Sequence, residues 1–404
     1  MSEMINPSTN GWIDKFFLQQ QPLPLPVVIY SKEFYLNVRH TGFIYGHTVE
    51  FDTDKPINTK GWTTQEITKV ALLNTLYGVF GLITHDGNPK DFIEKANGFY
   101  KQMNPEGFNL LKKMLPEASA SHRLEEMIDE RVQTNDNIIS KNFSHILTNA
   151  LLFMDVLAFR QYLLHKEIPV NYLKKLEETI ISIVSLALKT KTVKSNYDDL
   201  LIKLFESSVR YSKFSKINVE NIEMLELEYF ASNLEKNYLL DMAGMAMWSD
   251  GILEQKESDF LFKLSDLLEI DRGYAIQSIE SIDDFIHKYK QEIPYFKYSN
   301  PVKHFYDQTT QNVQILLTRN KNRLVKEIME SGELMKLIAY STQRDLSDKE
   351  KKKMKKQLLD ICKSIPSLTI FLLPGGGLLL PILIKFIPQL LPSAFNENLD
   401  IDTE

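Results

Sequence analysis

Six lysines between residues 351 and 363 form the group of side chains whose chemistry is easiest to name. They are Lys351, Lys352, Lys353, Lys355, Lys356 and Lys363. Ser347 and Glu350 precede them with the spacing of a helix capping box. The other side of the predicted helix carries the apolar residues Met354, Leu358, Ile361, Cys362 and Ile365. A basic amphipathic helix of this kind is typical of an anionic lipid surface.

An uncharged stretch follows this helix. Residues 364–384 contain no charged side chain over 21 positions, so a continuous helix would extend about 30 Å, one hydrocarbon core. The stretch and the residues after it are interrupted by Pro366, Pro374, Gly375, Gly376, Gly377, Pro381, Pro388 and Pro392. Proline removes a backbone donor and glycine favours a turn, so we favour a re-entrant or strongly kinked insertion over a straight span.

The whole C-terminal region, from about Leu346 to Phe395, is therefore predicted to enter or lie against a lipid bilayer. The alternative is a pair of buried core helices whose lysines are merely solvated. The positive-inside rule places the lysine-rich helix, and with it the bulk of the chain, on the cytoplasmic side of an inner membrane. The expected partner is anionic membrane lipid, together with protein partners or self-association.

Catalytic motifs are missing from the sequence. It contains no metalloprotease, P-loop, serine-hydrolase or dinucleotide-binding pattern. His85 beside Asp86 is interpreted as turn chemistry, and Cys362 as a residue buried in protein or lipid, not a nucleophile. We do not expect an enzyme.

Composition limits the setting in which these features act. The chain has 404 residues, 43% hydrophobic and 25% charged, enough for two or three packed units. The net charge of −6 argues against a general nucleic-acid binder, so no nucleic acid is expected as a partner. A single cysteine excludes an internal disulfide and indicates a reducing compartment. No secretory signal is visible at the start.

The predicted fold is mainly α, a multi-helix bundle with a small β-containing N-terminal segment. Thr63 and Glu66 have capping-box spacing at the start of the first clear helical pattern. Further helices are predicted over residues 89–103, 118–133, 135–165, 169–190, 196–209, 219–248, 252–270, 274–290 and 301–340. Residues 27–30, 34–38 and 43–45 are rich in β-branched and aromatic side chains, which favours a small β-meander.

Residues 333–396 resemble the membrane region of the LETM family of the mitochondrial inner membrane. The resemblance rests on Leu346-Ser347-x-x-Glu350 before the basic helix and on the proline register after it. That register comprises Ile365-Pro366, Ile370–Pro374, Leu378–Pro381, Phe386-Ile387-Pro388 and Leu391-Pro392-Ser393-Ala394-Phe395. A long N-terminal body before this segment resembles the bacterial LETM-related biofilm-associated proteins.

The family resemblance implies cation/proton exchange, ribosome binding near the membrane, or, for the biofilm-associated members, attachment physiology. The sequence ends nine residues after Phe395, without the large domain that carries ribosome contact in the family. Ribosome binding by that route is therefore not expected. A transporter should place ionisable groups at membrane depth, and the uncharged stretch has none before Lys385.

Residues 236–290 resemble the TerB-like helical domain of tellurite-resistance and related stress proteins, through residues 239–247, Ser249-Asp250-Gly251-Ile252, Glu257 and residues 260–268. Some members bind a divalent cation at this helix junction. The resemblance implies Asp250 and Glu257 as ligands, with Glu254 close enough to contribute. Calcium suits such oxygen ligands, although two or three carboxylates would hold it weakly. The alternative is that Asp250 caps the next helix and no metal binds.

These observations predict six segments: residues 1–60 with short strands, 61–230 as a helical domain, 231–300 as the TerB-like domain, 301–345 as a helical connector, 346–396 as the membrane segment and 397–404 as an acidic tail. The predicted function is a membrane-anchored, cytoplasm-facing scaffold or stress/attachment protein, associated with biofilms. The alternative is a cation/proton exchanger or a regulator of ion homeostasis.

Overall fold

Helices make up most of the structure. The computed structural model describes residues 5–20, 31–53, 55–104, 117–132, 149–191, 219–247, 255–289, 291–292, 314–344, 346–365 and 368. No strand occurs among these residues. The prediction of a mainly α, multi-helix protein is confirmed.

The helices are numbered here in chain order. They are α1 Trp12–Gln20, α2 Ser31–His40, α3 Thr64–Thr84, α4 Pro89–Met103, α5 Ala120–Val132, α6 Phe153–His165, α7 Tyr172–Thr190, α8 Asn233–Met247, α9 Gln255–Leu267, α10 Arg272–Tyr289, α11 Lys321–Glu330, α12 Gly332–Gln343 and α13 Asp348–Ser364. Short 3-10 turns occur at Phe43–Tyr45, Ile222–Met224 and Leu227–Tyr229, and residues 314–319 are helical as well.

The predicted β-meander is wrong where the structure describes it. Residues 34–38 lie inside α2, and residues 43–45 form a 3-10 turn between Gly42 and Gly46, both with positive φ. In α2, Phe34, Tyr35 and Val38 are buried together, because positions i, i+1 and i+4 share one side of a helix. Aromatic content indicated a strand, but the helical spacing of these residues decides the structure. Residues 27–30 lie outside the described residues.

Two compact units make up the chain. Unit 1 comprises Met1–Asn58, Ile67–Thr134 and Phe143–Ser299, and unit 2 comprises Thr59–Glu66, Asn135–Asn142 and Asn300–Glu404. The six predicted segment boundaries stay predictions.

Helix α8 is the central helix of unit 1, where it packs against α2, α7, α9 and α10. Its buried residues surround the helix and include Leu234, Tyr238 and Met242. A Cβ atom added to Gly244 would lie 2.5 Å from Cδ1 of Ile282 on α10. Glycine therefore lets the Ile282 side chain pack directly against the α8 backbone, and a larger residue would require that side chain to move.

An aromatic cluster packs α1, α3 and α4 together in unit 1. The ring of Phe17 lies edge-on to that of Tyr77 at 5.0 Å, and Tyr77 lies edge-on to Phe92 at 5.3 Å between ring centroids. Phe80 and Phe159 contact the same Phe92 ring at 5.7 and 6.2 Å. Edge-to-face contacts of this kind stabilise aromatic cores beyond simple area burial.

Among the described residues, α3 is the one helix that is long and apolar enough to cross a membrane by length and composition. In the structure, 56% of its apolar window is buried within the protein. Its first turn carries the predicted capping box: the Thr63 backbone N–H donates to Glu66 Oε2 at 2.8 Å, and the Glu66 N–H donates to Thr63 Oγ1 at 3.3 Å. Leu72, Leu76 and Phe80 of α3 are each at most 1% exposed, so one side of this helix belongs to the protein core.

Candidate membrane-docking site

The lysine-rich helix α13 begins at the predicted capping box. The Ser347 N–H donates to Glu350 Oε2 at 2.8 Å, and the Glu350 N–H donates to Ser347 Oγ at 3.4 Å. These two bonds satisfy backbone donors that the first turn of a helix leaves without partners. The start of α13 is therefore fixed by its own sequence.

Arg344 strengthens this start from the preceding loop. Its guanidinium donates to both Glu350 carboxylate oxygens, at 2.7 and 3.0 Å, and lies over the Tyr340 ring, 5.0 Å from its centroid. The hydrogen bond from Arg344, followed by the bonds from Ser347, lowers the pKa of Glu350 to about 2. Glu350 is thus held as a carboxylate, which also suits the positive end of the helix dipole.

The apolar face of α13 is buried in protein. Met354, Leu358 and Ile361 pack into a core with side chains of α11 and α12. The fully enclosed members of this unit 2 core, each at most 1% exposed, are Leu317, Leu324, Ile328, Leu334, Leu358, Cys362, Ile365 and Leu368. Because these side chains already have protein neighbours, α13 does not offer its apolar face to lipid.

Cys362 lies inside this core, as the sequence predicted. It is fully buried, and burial raises the pKa of its thiol to about 12. A thiol with such a pKa stays protonated at neutral pH, and the thiolate is the reactive form. The residue is therefore a packing side chain.

The end of α13 is also fixed. Arg323 on α11 donates a hydrogen bond from Nη2 to the carbonyl oxygen of Ser364 at 2.6 Å. The next residue, Ile365, is 1% exposed, and the Leu368 N–H donates to the Ile365 carbonyl at 2.8 Å. Unit 2 thus fixes the chain up to the position where the uncharged stretch begins.

The lysines lie on the solvent side of α13. All of the predicted membrane-contacting lysines are exposed: Lys351, Lys352, Lys353, Lys355 and Lys356. Lys353 forms an ion pair with Glu333 on α12, and Lys363 pairs with Asp360 at 2.6 Å. Sequence reasoning missed Lys349, which is exposed on the same helix. Seven lysines and three acidic residues give α13 a net charge of +4.

A family model matches the chain in this region. The model is described as "LETM1-like, RBD" and covers residues 346–403, about a seventh of the chain. The segment is LETM1-like. The match begins at Leu346, two residues before α13, in agreement with the resemblance seen in the sequence. No curated protein and no solved structure matches the chain significantly.

Most of the LETM1-like segment lies outside the described residues. Of this segment the structure describes residues 346–365 and 368. The predicted membrane-contacting prolines and glycines are all outside this set: Pro366, Pro374, Gly375, Gly376, Gly377, Pro381, Pro388 and Pro392. Their role in the bilayer stays a prediction.

The predicted cation site is described in one of its three residues. Glu257 lies on α9 and is 1% exposed, whereas Asp250 and Glu254 are outside the described residues. Across the part of the chain that the structure describes, no group of three or more His, Cys, Asp or Glu side chains has a metal-binding arrangement. Calcium binding at Asp250, Glu254 and Glu257 stays a prediction.

Unit 1 contains a buried charge cluster that sequence reasoning missed. Asp241 on α8 is fully buried and accepts hydrogen bonds from Arg39 Nε at 2.9 Å and Arg39 Nη2 at 3.1 Å. Tyr35 donates to the same carboxylate at 2.8 Å, and the Ser278 hydroxyl also donates to it. Burial, and then the charge of Asp241, raises the pKa of Tyr35 above its usual value, so its phenol remains a donor.

This cluster connects three helices of unit 1. Tyr35 and Arg39 lie on α2, Asp241 lies on α8, and Ser278 lies on α10. The available sequence signal was weak: one acidic residue in the apolar stretch 239–247, and one arginine four positions after a tyrosine. All four donors point at one carboxylate, so these hydrogen bonds hold the three helices together.

Proposed function

We propose that the chain is a membrane-associated helical protein, held at a bilayer through its LETM1-like C-terminal segment. The observation that carries this proposal is the overlap of the match over residues 346–403 with the uncharged residues 364–384. The transfer of 21 successive uncharged, mostly apolar residues from water into a bilayer lowers the free energy. The segment is too interrupted by proline to be a straight helix, so we propose a re-entrant or kinked insertion.

The packed helices α11, α12 and α13 support this proposal, because they hold the chain in a folded core just before the uncharged stretch. Both ends of α13 are fixed, by Ser347 and Glu350 at the start and by Arg323 at Ser364. The exposed lysines give α13 a positively charged surface. The partner that fits this surface is anionic lipid, and the positive-inside rule favours a cytoplasmic position, at an inner membrane, for α13 and the bulk of the chain before it.

A role in ion homeostasis is the second candidate, and the LETM1-like match favours it. In this role the chain would be a cation/proton exchanger or a regulator of one. Proteoliposomes that contain the full chain would be loaded with a pH-sensitive dye and given a potassium or calcium gradient. A cation-dependent proton flux supports exchange, whereas no flux above that of empty liposomes removes the exchanger and leaves a regulator or a scaffold.

The narrower proposal is a scaffold or a stress and surface-attachment protein, including a role in biofilm formation, with a TerB-like domain at residues 231–300. It rests on the resemblance of the layout to LETM-related biofilm-associated proteins. Deletion of the gene with measurement of surface-attached biomass tests it, and unchanged attachment counts against it. Calcium titration of the full chain with an Asp250→Ala control tests the metal-binding part.

Cell fractionation tests membrane association directly. The full chain is compared with a version that stops after Leu368, which keeps the described core of unit 2 and removes most of the uncharged stretch. We expect the full chain to sediment with membranes and to resist a high-salt wash, and the shortened chain to be released. Recovery of the full chain in the soluble fraction would refute the proposal.

A further inference from the structure

The lysines of α13 fall into two groups according to their partners. Lys353 is paired with Glu333 and Lys363 with Asp360. The remaining five are exposed and form no ion pair with any residue that the structure describes. We call these five the lysine ridge: Lys349, Lys351, Lys352, Lys355 and Lys356.

Three of the five ridge lysines lie on the side of the helix opposite the buried core. Lys349, Lys352 and Lys356 follow one another at spacings of three and four residues, which places them in a row. Lys351 and Lys355 are also exposed, but they lie along the edge of the apolar side, two turns before Leu358 and Cys362 respectively. The ridge therefore presents five ammonium groups within about 10 Å along the helix axis.

This arrangement disfavours the isolated helix. Lys351 and Lys355, like Lys352 and Lys356, are like-charged residues at i and i+4, which destabilise a helix. Lys353 and Lys363 each contact a carboxylate as an ion pair, whereas no ridge lysine has such a contact with a described residue. The hydrogen bond from Lys363 is the main cause of the lowered pKa of Asp360, and the charge of Lys356 adds to it from a longer distance. The counter-charge that the ridge lacks within unit 2 must come from solvent ions or from a binding partner.

We propose that the lysine ridge binds the anionic headgroups of the membrane that the uncharged stretch enters, as a fixed electrostatic contact. This inference rests on the proposed membrane association. Ser364, where the uncharged stretch begins, is about 12 Å along the helix from Lys356, comparable to the Debye length over which a charged surface is felt. The chain's net charge of −6 and the neighbouring apolar stretch favour lipid over nucleic acid as the source of phosphate.

The contact differs from that of an interfacial amphipathic helix. Such a helix inserts its apolar face among the acyl chains. In α13 that face is closed, with Leu358 1% exposed and Cys362 fully buried. The ridge is therefore expected to bind the membrane through electrostatic attraction alone. Its contribution to binding should disappear at high ionic strength.

A matched pair of variants of the full chain tests the ridge. Lys352→Gln/Lys356→Gln removes two ridge charges, and Lys353→Gln/Lys363→Gln removes two charges from the same helix outside the ridge. Binding is measured by co-sedimentation with vesicles of phosphatidylcholine, with or without phosphatidylglycerol. At about 1 kcal/mol per lysine, the ridge variant should bind phosphatidylglycerol vesicles about 30-fold more weakly. The control variant should lose less than about threefold, and Lys352→Arg/Lys356→Arg should bind like the wild type.

Each outcome of this experiment separates the two proposals. Equal losses in the ridge and control variants would mean that net charge alone matters, and would overturn the ridge. Equal wild-type binding to both vesicle types would overturn the ridge and leave membrane association intact. No binding to either vesicle would contradict the proposed function itself. Tighter binding to duplex RNA than to phosphatidylglycerol vesicles at the same salt would also overturn the lipid assignment.

Discussion

The guanidinium of Arg323 on α11 donates a hydrogen bond to the main-chain carbonyl oxygen of Ser364, the last residue of α13, at 2.6 Å. The final carbonyls of a helix have no partner within the helix, and Pro366 cannot continue the hydrogen-bond ladder. Arg323 supplies a donor there, and its positive charge suits the negative end of the helix dipole. One side chain thus fixes the end of α13, where the uncharged stretch begins.

Replacement of Arg323 by alanine should loosen this end of α13. We expect a loss of about 1 kcal/mol of local stability, because a charged donor to the Ser364 carbonyl is removed. Hydrogen-exchange mass spectrometry should show faster exchange in the peptide that spans residues 358–368. Lys321→Ala on the same helix changes an exposed residue and should leave exchange unchanged. Equal exchange in both variants would show that the Arg323 bond contributes nothing.

Acid should weaken unit 2 through Glu350. The pKa of this carboxyl is lowered from 4.5 to about 2 by Arg344 and Ser347, so the folded state holds its proton less tightly than the unfolded state. The stabilisation is fully present above pH 4.5 and is lost as the pH falls toward 2. The measurement is the free energy of unfolding in urea between pH 6 and pH 2, a range chosen to include the pKa of Glu350 in both states.

Glu350→Gln is the variant that isolates this effect. It removes the titrating group, so its unfolding free energy should fall less steeply over the same acid range than that of the wild type. Glu330→Gln, which changes an exposed carboxylate 3.9 Å from Lys326, should keep the wild-type slope. A wild-type slope in Glu350→Gln would contradict the assignment.

Leu358 should carry much of the stability of unit 2. It is 1% exposed in the core between α11, α12 and α13, and its truncation leaves a cavity. Leu358→Ala should therefore lower the free energy of unfolding of unit 2 by about 2–5 kcal/mol. Met329→Ala removes a side chain that is 55% exposed and should change stability little. Thermal and urea unfolding of the two variants should differ accordingly, and similar losses would mean that Leu358 is not enclosed.

The buried pair in unit 1 should show strong coupling. Asp241→Ala leaves the guanidinium of Arg39 buried without its counter-charge, and should cost about 3–5 kcal/mol. Arg39→Met/Asp241→Leu removes both charges and should cost less than Asp241→Ala alone, because no unpaired charge remains. The exposed pair Lys174 and Glu178, 3.9 Å apart, is the control, with a coupling of at most about 1 kcal/mol. If the losses of unfolding free energy in Arg39→Met and Asp241→Leu, measured singly, add up to the loss in Arg39→Met/Asp241→Leu, the buried pairing is contradicted.

The helical class and the start of α13 could be predicted because their signals are local. The capping boxes at Thr63 and Ser347 depend on residues three positions apart, and both form as expected. Helix α4 occupies residues 89–103, as predicted from periodicity, with Asn88 as its cap. The burial of Met354 and Leu358 also follows from their spacing on one face.

The errors in the sequence-based predictions arose where tertiary contacts decide the local structure. Phe34 and Tyr35 have strand-forming side chains, but burial of one helical side makes them part of α2. The predicted helix over residues 219–248 is shorter in the structure: two 3-10 turns precede α8, which begins at Asn233. The pairing of Arg39 with Asp241 joins residues 202 positions apart, and no local pattern reveals a contact at that separation.

For the lysine-rich helix, the sequence indicated the charges but not their partners. Which ammonium groups are neutralised depends on Glu333, a residue of a different helix that lies beside Lys353 in the folded unit. Periodicity likewise identified an apolar face on α13 without indicating what covers it. The structure supplies both answers: Glu333 pairs with Lys353, and side chains of α11 and α12 cover the apolar face.

Cys362 has a practical consequence. It is the one cysteine in the sequence, it lies in the unit 2 core, and its thiol has a raised pKa. A maleimide or a disulfide reagent can therefore modify the folded chain only when unit 2 opens. The alkylation rate of the wild-type protein, free or with added vesicles, consequently reports how often the core formed by α11, α12 and α13 opens, without any engineered label.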